Sequence, residues 1–269
     1  MAEQAATAPT PRRFGAVNWR GLWSLYHRNV VRFFRFGIEQ LGGPAVSSLL
    51  FLAVFDLALG GGRETAPGVT LSQFIAPGIV MISMIHSAFE NAAAYIVYDK
   101  LDGMIGDILS APLKPAEIVA GFALSAATSA LCTGAVVLLL MSLFVELPVH
   151  SPAAVLGFAL AAALLFAFFG TIVGLWADRW DNYSAAETFL ILPLGLLSGA
   201  FFPLQAVAPE FRWIFEINPV FHAVEGFRYG FTGQAQGAVA GTAAILALLT
   251  LALALLSWRL VAVGYKLKA

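Results

Sequence analysis

Six apolar stretches, each near the length that crosses a bilayer, decide most of what this chain can become. They fall at about 40–59, 74–97, 117–146, 153–177, 184–203 and 239–262, and about 20 apolar residues make a helical span. Composition agrees: 59% of the residues are hydrophobic and 12% charged, where soluble domains carry about 25% charged. The expected fold is an all-α integral membrane protein with six transmembrane helices. The third stretch exceeds a bilayer's thickness, so tilt or a protruding end is expected there. The single cysteine, Cys132, forms no intrachain disulfide and reads as a small packing residue.

Orientation follows from where lysine and arginine sit. With a cytoplasmic N-terminus, Arg12, Arg13, Arg20, Arg28, Arg32, Arg35, Lys100, Lys114, Arg179, Arg259, Lys266 and Lys268 lie inside, and only Arg63, Arg212 and Arg228 outside. Twelve against three places both termini in the cytoplasm. Residues 1–18 are polar and rich in Ala, Pro and Thr. They carry no apolar core before a cleavage site, so a disordered tail and no cleavable signal peptide are expected. Residues 19–37 place Trp19, Leu22, Trp23, Tyr26, Val30, Phe33 and Phe34 on one arc of a helical wheel. Arg20, His27, Arg28, Arg32 and Arg35 occupy the opposite arc. That pattern predicts an amphipathic helix in the membrane interface, its basic face toward anionic headgroups. The transmembrane domain then covers 38–269.

Two polar passages interrupt the spans. In 98–115, YDKLDGMIGDILSAPLKP, the residues Leu101, Met104, Ile105, Ile108 and Leu109 recur at helical spacing, with Asp99, Lys100, Asp102 and Asp107 on other faces. This predicts a short amphipathic helix ended by Pro112, suited to contact with a soluble partner. The outer passage from Gln205 mixes Phe211, Trp213, Phe215, Phe221 and Phe227 with Glu210, Glu216, Glu225 and Arg228, and is broken at Asn218-Pro219. It fits two short re-entrant helices before the last span; an interfacial loop with aromatic anchors is the plainer alternative. Asp178-Arg179-Trp180-Asp181-Asn182 reads as a hairpin turn with an interfacial tryptophan.

Among intramembrane polar groups, His86 and Glu90 lie one turn apart within the second span. A buried acid is costly in lipid and faces protein or water. The pair lines a cavity or relays protons, or it bonds across the turn for structure alone; both readings stand at this point. Glu39, Asp56 and Glu187 lie nearer span ends and read as structural. No phosphate-cradling GxxxxGK[ST] loop is present. Ser198, between Gly195 and Gly199, sits among small residues that serve helix packing. His222 and Glu225 at i, i+3 are too few for a metal site. No catalytic residue, metal site or nucleic-acid partner is expected.

These features resemble the transmembrane subunit of ABC exporters of the ABC-2 type. The likeness is sharpest at 103–121, GMIGDILSAPLKPAEIVAG, where Gly103, Leu109, Pro112, Leu113, Glu117 and Gly121 match the family pattern. Met104 replaces a usual threonine, and Gly106, followed by Asp107, stands where glutamate is common. Ser198 to Leu204, Asn218-Pro219 and Glu225-Gly226-Phe227-Arg228 are similar to the family's fifth-span exit and outer hairpin. The resemblance implies a homodimer, or a close heterodimer, in a bacterial inner membrane above two nucleotide-binding subunits, which hold ATP and Mg; this chain needs no cofactor. It implies that Leu101, Asp102, Gly103, Met104, Ile105, Asp107, Ile108, Leu109 and Pro112 form the ATPase-coupling element. His86, Glu90, Phe201 and Phe202 then belong to the translocation path, and Trp213, Phe221, Glu225 and Arg228 to the outer hairpin. The cargo would be amphipathic: lipid-like, glycan-like or drug-like. A secondary transporter driven by an ion gradient is the competing reading, with His86 and Glu90 as its proton pair.

Overall fold

The computed structural model describes residues 15–60, 62–66, 68–235 and 237–267. The expectation for the tail falls almost wholly outside those residues. The described residues are mostly helical, with a two-stranded hairpin, β1 (Glu64–Ala66) with β2 (Val69–Thr70). Among the described residues, five helices are long and apolar enough to cross a membrane.

In order, the helices are α1 (Trp19–Arg35), α2 (Gly43–Leu59), α3 (Leu71–Leu101), α4 (Met104–Ser110) and α5 (Pro115–Met141). After α6 (Pro152–Trp176) come α7 (Trp180–Ala186), α8 (Leu192–Leu196), α9 (Arg212–Glu216), α10 (Pro219–Thr232) and α11 (Val239–Ala262). The 31-residue α3 is the central rod, buried along most of its length and packed on α5 and α6. Thr70 starts it: its Oγ1 accepts from the Gln73 N–H at 3.3 Å, and the Gln73 side chain accepts from the Thr70 N–H at 3.1 Å, a reciprocal cap. Close packing on α6 depends on two glycines four residues apart. A Cβ on Gly170 would stand 2.5 Å from the Phe89 carbonyl oxygen, and one on Gly174 2.8 Å from that of Ala93. Small residues at this spacing let two helix backbones touch where lipid supplies no hydrophobic drive.

The stretch expected as a fifth span is interrupted. It runs as α7, a π turn at Glu187–Ile191 and the five-residue α8, then leaves helix at Leu197. Pro193 lacks an N–H for the carbonyl four residues earlier, and its ring crowds that carbonyl, so the preceding turn widens. A second π turn at Ile38–Gly42 precedes Pro44 in the same way.

The first helix runs over Trp19–Arg35 against the expected 19–37, and its wheel has three faces rather than two. Leu25, Asn29 and Phe33 are buried in the bundle, while Trp19, Trp23 and Phe34 are exposed. Arg20, His27 and Arg35 form the exposed basic strip. Arg28 and Arg32, expected at headgroups, instead turn inward to the fully buried Asp99 of α3. Arg32 Nη2 donates to Asp99 Oδ1 at 3.0 Å, and Arg28 pairs with Oδ2. A buried carboxylate so far from water requires such partners, and helix periodicity alone does not reveal which arginines answer it.

Replacing Asp99 by asparagine should free α1, because two guanidinium groups lose their counter-charge. The arginines are partly exposed, so the expected cost is about 2 kcal/mol, read as a lower unfolding midpoint in detergent and faster tryptic cleavage within α1. An unchanged midpoint would remove Asp99 from this role.

Candidate functional site

A groove of about 600 Å³ opens between α2, α3 and the interrupted segment 187–196. From α3 come His86 and Glu90, one turn apart. The π turn before α8 adds Glu187, and the one before α2 adds Glu39 and Gln40. His86 Nε2 lies 2.7 Å from Glu187 Oε1, and His86 Nδ1 lies 3.6 Å from Glu90 Oε2. The first is a hydrogen bond; the second is an electrostatic contact beyond hydrogen-bond reach. The pair expected from sequence is therefore a triad, joined by a glutamate that sequence alone placed at a span end. The signal available for Glu39 and Glu187 was a proline five or six residues further on, at Pro44 and Pro193. π turns recur at functional sites because they re-aim side chains without ending the helix.

The opposite end of the groove is aromatic. Phe201 lines it and stacks on Phe55 at 5.2 Å between ring centroids. Phe202 is absent from the lining; it packs edge-on against Phe215 of α9 at 5.8 Å. Ser48 and Ser83 face each other across the groove wall at 2.9 Å and tie α2 to α3.

Beyond the groove, the broken helix is closed by the outer passage. Asn218 Nδ2 donates to the carbonyls of Leu194 at 2.8 Å and Leu197 at 2.7 Å, two acceptors freed where α8 ends. Arg228 is 2% exposed and gathers three chain segments. It donates to the carbonyls of Phe74 at 3.0 Å and Gly199 at 2.9 Å, pairs with Glu225, and stands 3.7 Å above the Phe74 ring. Gly199, at φ +66°, takes the left-handed turn that presents its carbonyl. The passage expected to form a hairpin holds two short helices, α9 and α10, and its named residues are unevenly distributed: Phe221, Glu225 and Arg228 are buried, while Trp213 is exposed. His222 Nε2 contacts the Glu216 carbonyl at 2.7 Å, so the suggested His222–Glu225 metal pair is already engaged with protein groups.

At the other end of the bundle, α3 stops at Gly103, whose φ of +75° suits glycine after a helix. Leu101 belongs to the last turn of α3, and the short helix proper is α4. Its apolar face is divided. Ile108 is buried, and Ile105 packs partly, in a cluster with Leu25, Ile118, Leu175 and Leu267. Leu101, Asp102, Gly103, Asp107, Leu109 and Pro112 face out, with Met104 intermediate. Ile105 and Ile108 therefore serve the chain's own core, where residues of α1, α5 and the C-terminal turn close over them, while Leu101 and Leu109 stay exposed. Glu117 in the first turn of α5 accepts from the N–H of Lys114 and that of Asn18, both at 2.8 Å. Asp178, between α6 and α7, is held below the usual carboxylate range by hydrogen bonds from the Lys266 and Lys100 ammonium groups. Lys266 reaches it at 2.5 Å and Lys100 at 3.2 Å, so the C-terminal turn and the foot of α3 share one acceptor.

Residues 20–232 match the ABC-2 type transporter family. The chain belongs to that family. It is 30% identical over 251 residues to the inner membrane transport permease YadH of Escherichia coli strain K12, covering 93% of this chain and 98% of that protein. It is 27% identical over 226 residues to nodulation protein J of Rhizobium leguminosarum bv. trifolii, covering 80% and 81%. With nodulation protein J of Sinorhizobium fredii it shares 26% over 245 residues, covering 85% and 89%. The family match begins in α1 and ends with α10, so this ABC-2 permease holds its groove, short helix α4 and outer passage within the matched region. It is a multi-pass membrane transport subunit rather than an enzyme, and its family implies an ATP-binding partner.

Arg228→Lys in this permease should not substitute for the guanidinium, because an ammonium lacks the rigid planar fork of donors that reaches Phe74, Gly199 and Glu225 together and lies flat over the Phe74 ring. The expected loss is about 3 kcal/mol, seen as a lower unfolding midpoint. Trp213→Ala, at an exposed position of the same passage, should change it by less than about 0.5 kcal/mol.

Proposed function

We propose that this chain is the membrane-spanning subunit of an ATP-driven exporter in a bacterial inner membrane, and that the groove beside His86, Glu90, Glu187 and Phe201 is its export path. The observation that carries this reading is the continuity of α3. One buried helix bears the groove residues at 86 and 90 and ends at Leu101, directly before α4. Fifteen residues of helix separate His86 from Leu101, about 22 Å at 1.5 Å per residue. Motion imposed at α4 reaches the groove through a stiff rod.

The interrupted segment counts as the fifth of six spans, and both termini are cytoplasmic. In that orientation α4 faces the cytoplasm and offers Leu101, Asp102, Asp107 and Leu109 to a nucleotide-binding subunit. Two such subunits bind ATP and Mg²⁺ and act on two copies of this chain. The exposed apolar faces of α2 and α8, with Leu50, Val54, Leu192 and Leu196 outward, suit contact with the second copy, which closes the groove. Cargo is amphipathic, since carboxylates and phenylalanines share one lining. An ion-gradient mechanism has the His86 triad in its favour; it requires transport into liposomes under a pH gradient without any ATPase.

Leu109→Asp tests the coupling role. Leu109 is 40% exposed, so a charge there leaves the bundle intact. Export should fall about tenfold or more, as for a central interface contact, with normal membrane yield. Ile105→Asp should also lower the yield, because Ile105 packs inward. Normal export by a well-expressed Leu109→Asp variant would overturn the coupling assignment.

A further inference from the structure

The charge of the groove is one-sided. Glu39, Glu90 and Glu187 line it together with His86, and neither lysine nor arginine is among its described lining residues. Among the described residues, His86 is the one cationic partner of Glu90 and Glu187, while Gln40 and the Tyr183 hydroxyl add uncharged hydrogen bonds. Arg28 and Arg32, on the helix that packs nearby, are committed to Asp99. A protonated His86 balances one carboxylate, which leaves the groove short of positive charge. Ionised carboxylates in a membrane require a counter-charge or water, and the side chains of Glu90 and Glu187 remain 33% and 26% exposed toward this opening.

The remaining lining extends the same chemistry. Phe51 and Phe201 present aromatic rings, with Phe201 backed by Phe55, and ring faces attract cations desolvated against them. Ser47, beside Pro44 on α2, adds a hydroxyl oxygen as acceptor. Behind the lining, Asn91 is 1% exposed and donates to Gln40, while its Oδ1 has no hydrogen-bond partner. A volume of about 600 Å³ lies within the usual range for small-molecule sites.

We propose that the groove selects an organic cation: an ammonium or phosphonium head beside Glu90 and Glu187, carried on an apolar body that lies against Phe51 and Phe201. This rests on reading the groove as the export path, and it adds the charge of the cargo to that reading.

Two ions of nearly equal size and shape and opposite charge make the test. Tetraphenylphosphonium and tetraphenylborate are offered to the full chain in phosphatidylcholine nanodiscs, with empty nanodiscs subtracted, and bound ion is measured by equilibrium dialysis. Wild-type protein should bind the phosphonium saturably and at least about tenfold more tightly than the borate. Glu90→Gln with Glu187→Gln should lower phosphonium affinity by about tenfold or more and leave borate binding no weaker. Equal or tighter borate binding by the wild type overturns the proposal, as does unchanged phosphonium binding by the folded double variant. The wild-type comparison stands even where the double variant fails to fold. Ser47→Trp, at an exposed position of the lining, separates the two levels. If it displaces both ions without charge preference, the groove is a binding path and only its cation selectivity fails. If it displaces neither, the reading of the groove as the path fails as well.

Discussion

In hydrocarbon, a backbone carbonyl without a donor costs several kcal/mol, so a helix that stops inside the membrane survives only where protein groups satisfy it. The segment from Trp180 to Leu196 stops with its last carbonyls covered by protein groups. Its freed carbonyls at Leu194 and Leu197 are taken by the Asn218 amide, and those of the following turn by Arg228. The same guanidinium holds Phe74 near the start of α3. One arginine thus joins the interrupted segment, the outer passage and the central rod. Without it, the groove would lose the geometry of its outer wall.

The central rod carries the rest. α6 approaches α3 closely because Gly170 and Gly174 have no side chains to hold the backbones apart. A second pair on α10 also fits against α6, Gly226 beneath the Phe158 ring and Gly230 against the side chain and backbone of Val155. At its far end, α3 receives α1 through Asp99, and Lys100 donates to the carbonyls of Leu175 and Ala177 and to Asp178. Arg32 also stands 4.9 Å from the ring centroids of both Tyr95 and Tyr98. Polar links therefore anchor the apolar rod at both of its ends.

Between those ends, two prolines shape the groove. Pro44 and Pro193 each follow a widened turn, and those turns supply Glu39, Gln40 and Glu187 to the lining. The same distortion that weakens α2 and the interrupted segment as regular helices therefore places acidic groups where α3 already holds His86 and Glu90. Spans built this way bury little of themselves. α2 shows apolar residues such as Val46, Leu50 and Leu57 on its outer face, as does α11 with Leu248 and Leu251.

The sequence by itself determined that the chain is a multi-pass membrane protein, roughly where its long apolar helices lie, and that short helices precede them and follow the second. Hydrophobic length and helical spacing are local properties, and each segment carries its own. Family motifs at 103–121 and from Ser198 to Arg228 pointed to the family that the match over residues 20–232 shows. Tertiary structure alone decided which arginines leave the headgroup face for Asp99, that Ile105 and Ile108 point into the core, and that Glu187 reaches His86. It also decided that the fifth segment breaks, because that depends on Asn218 and Arg228 arriving from elsewhere in the chain to satisfy its carbonyls. A helical wheel sorts residues by angle, whereas a buried charge is settled by which distant partner the packing brings within about 3 Å.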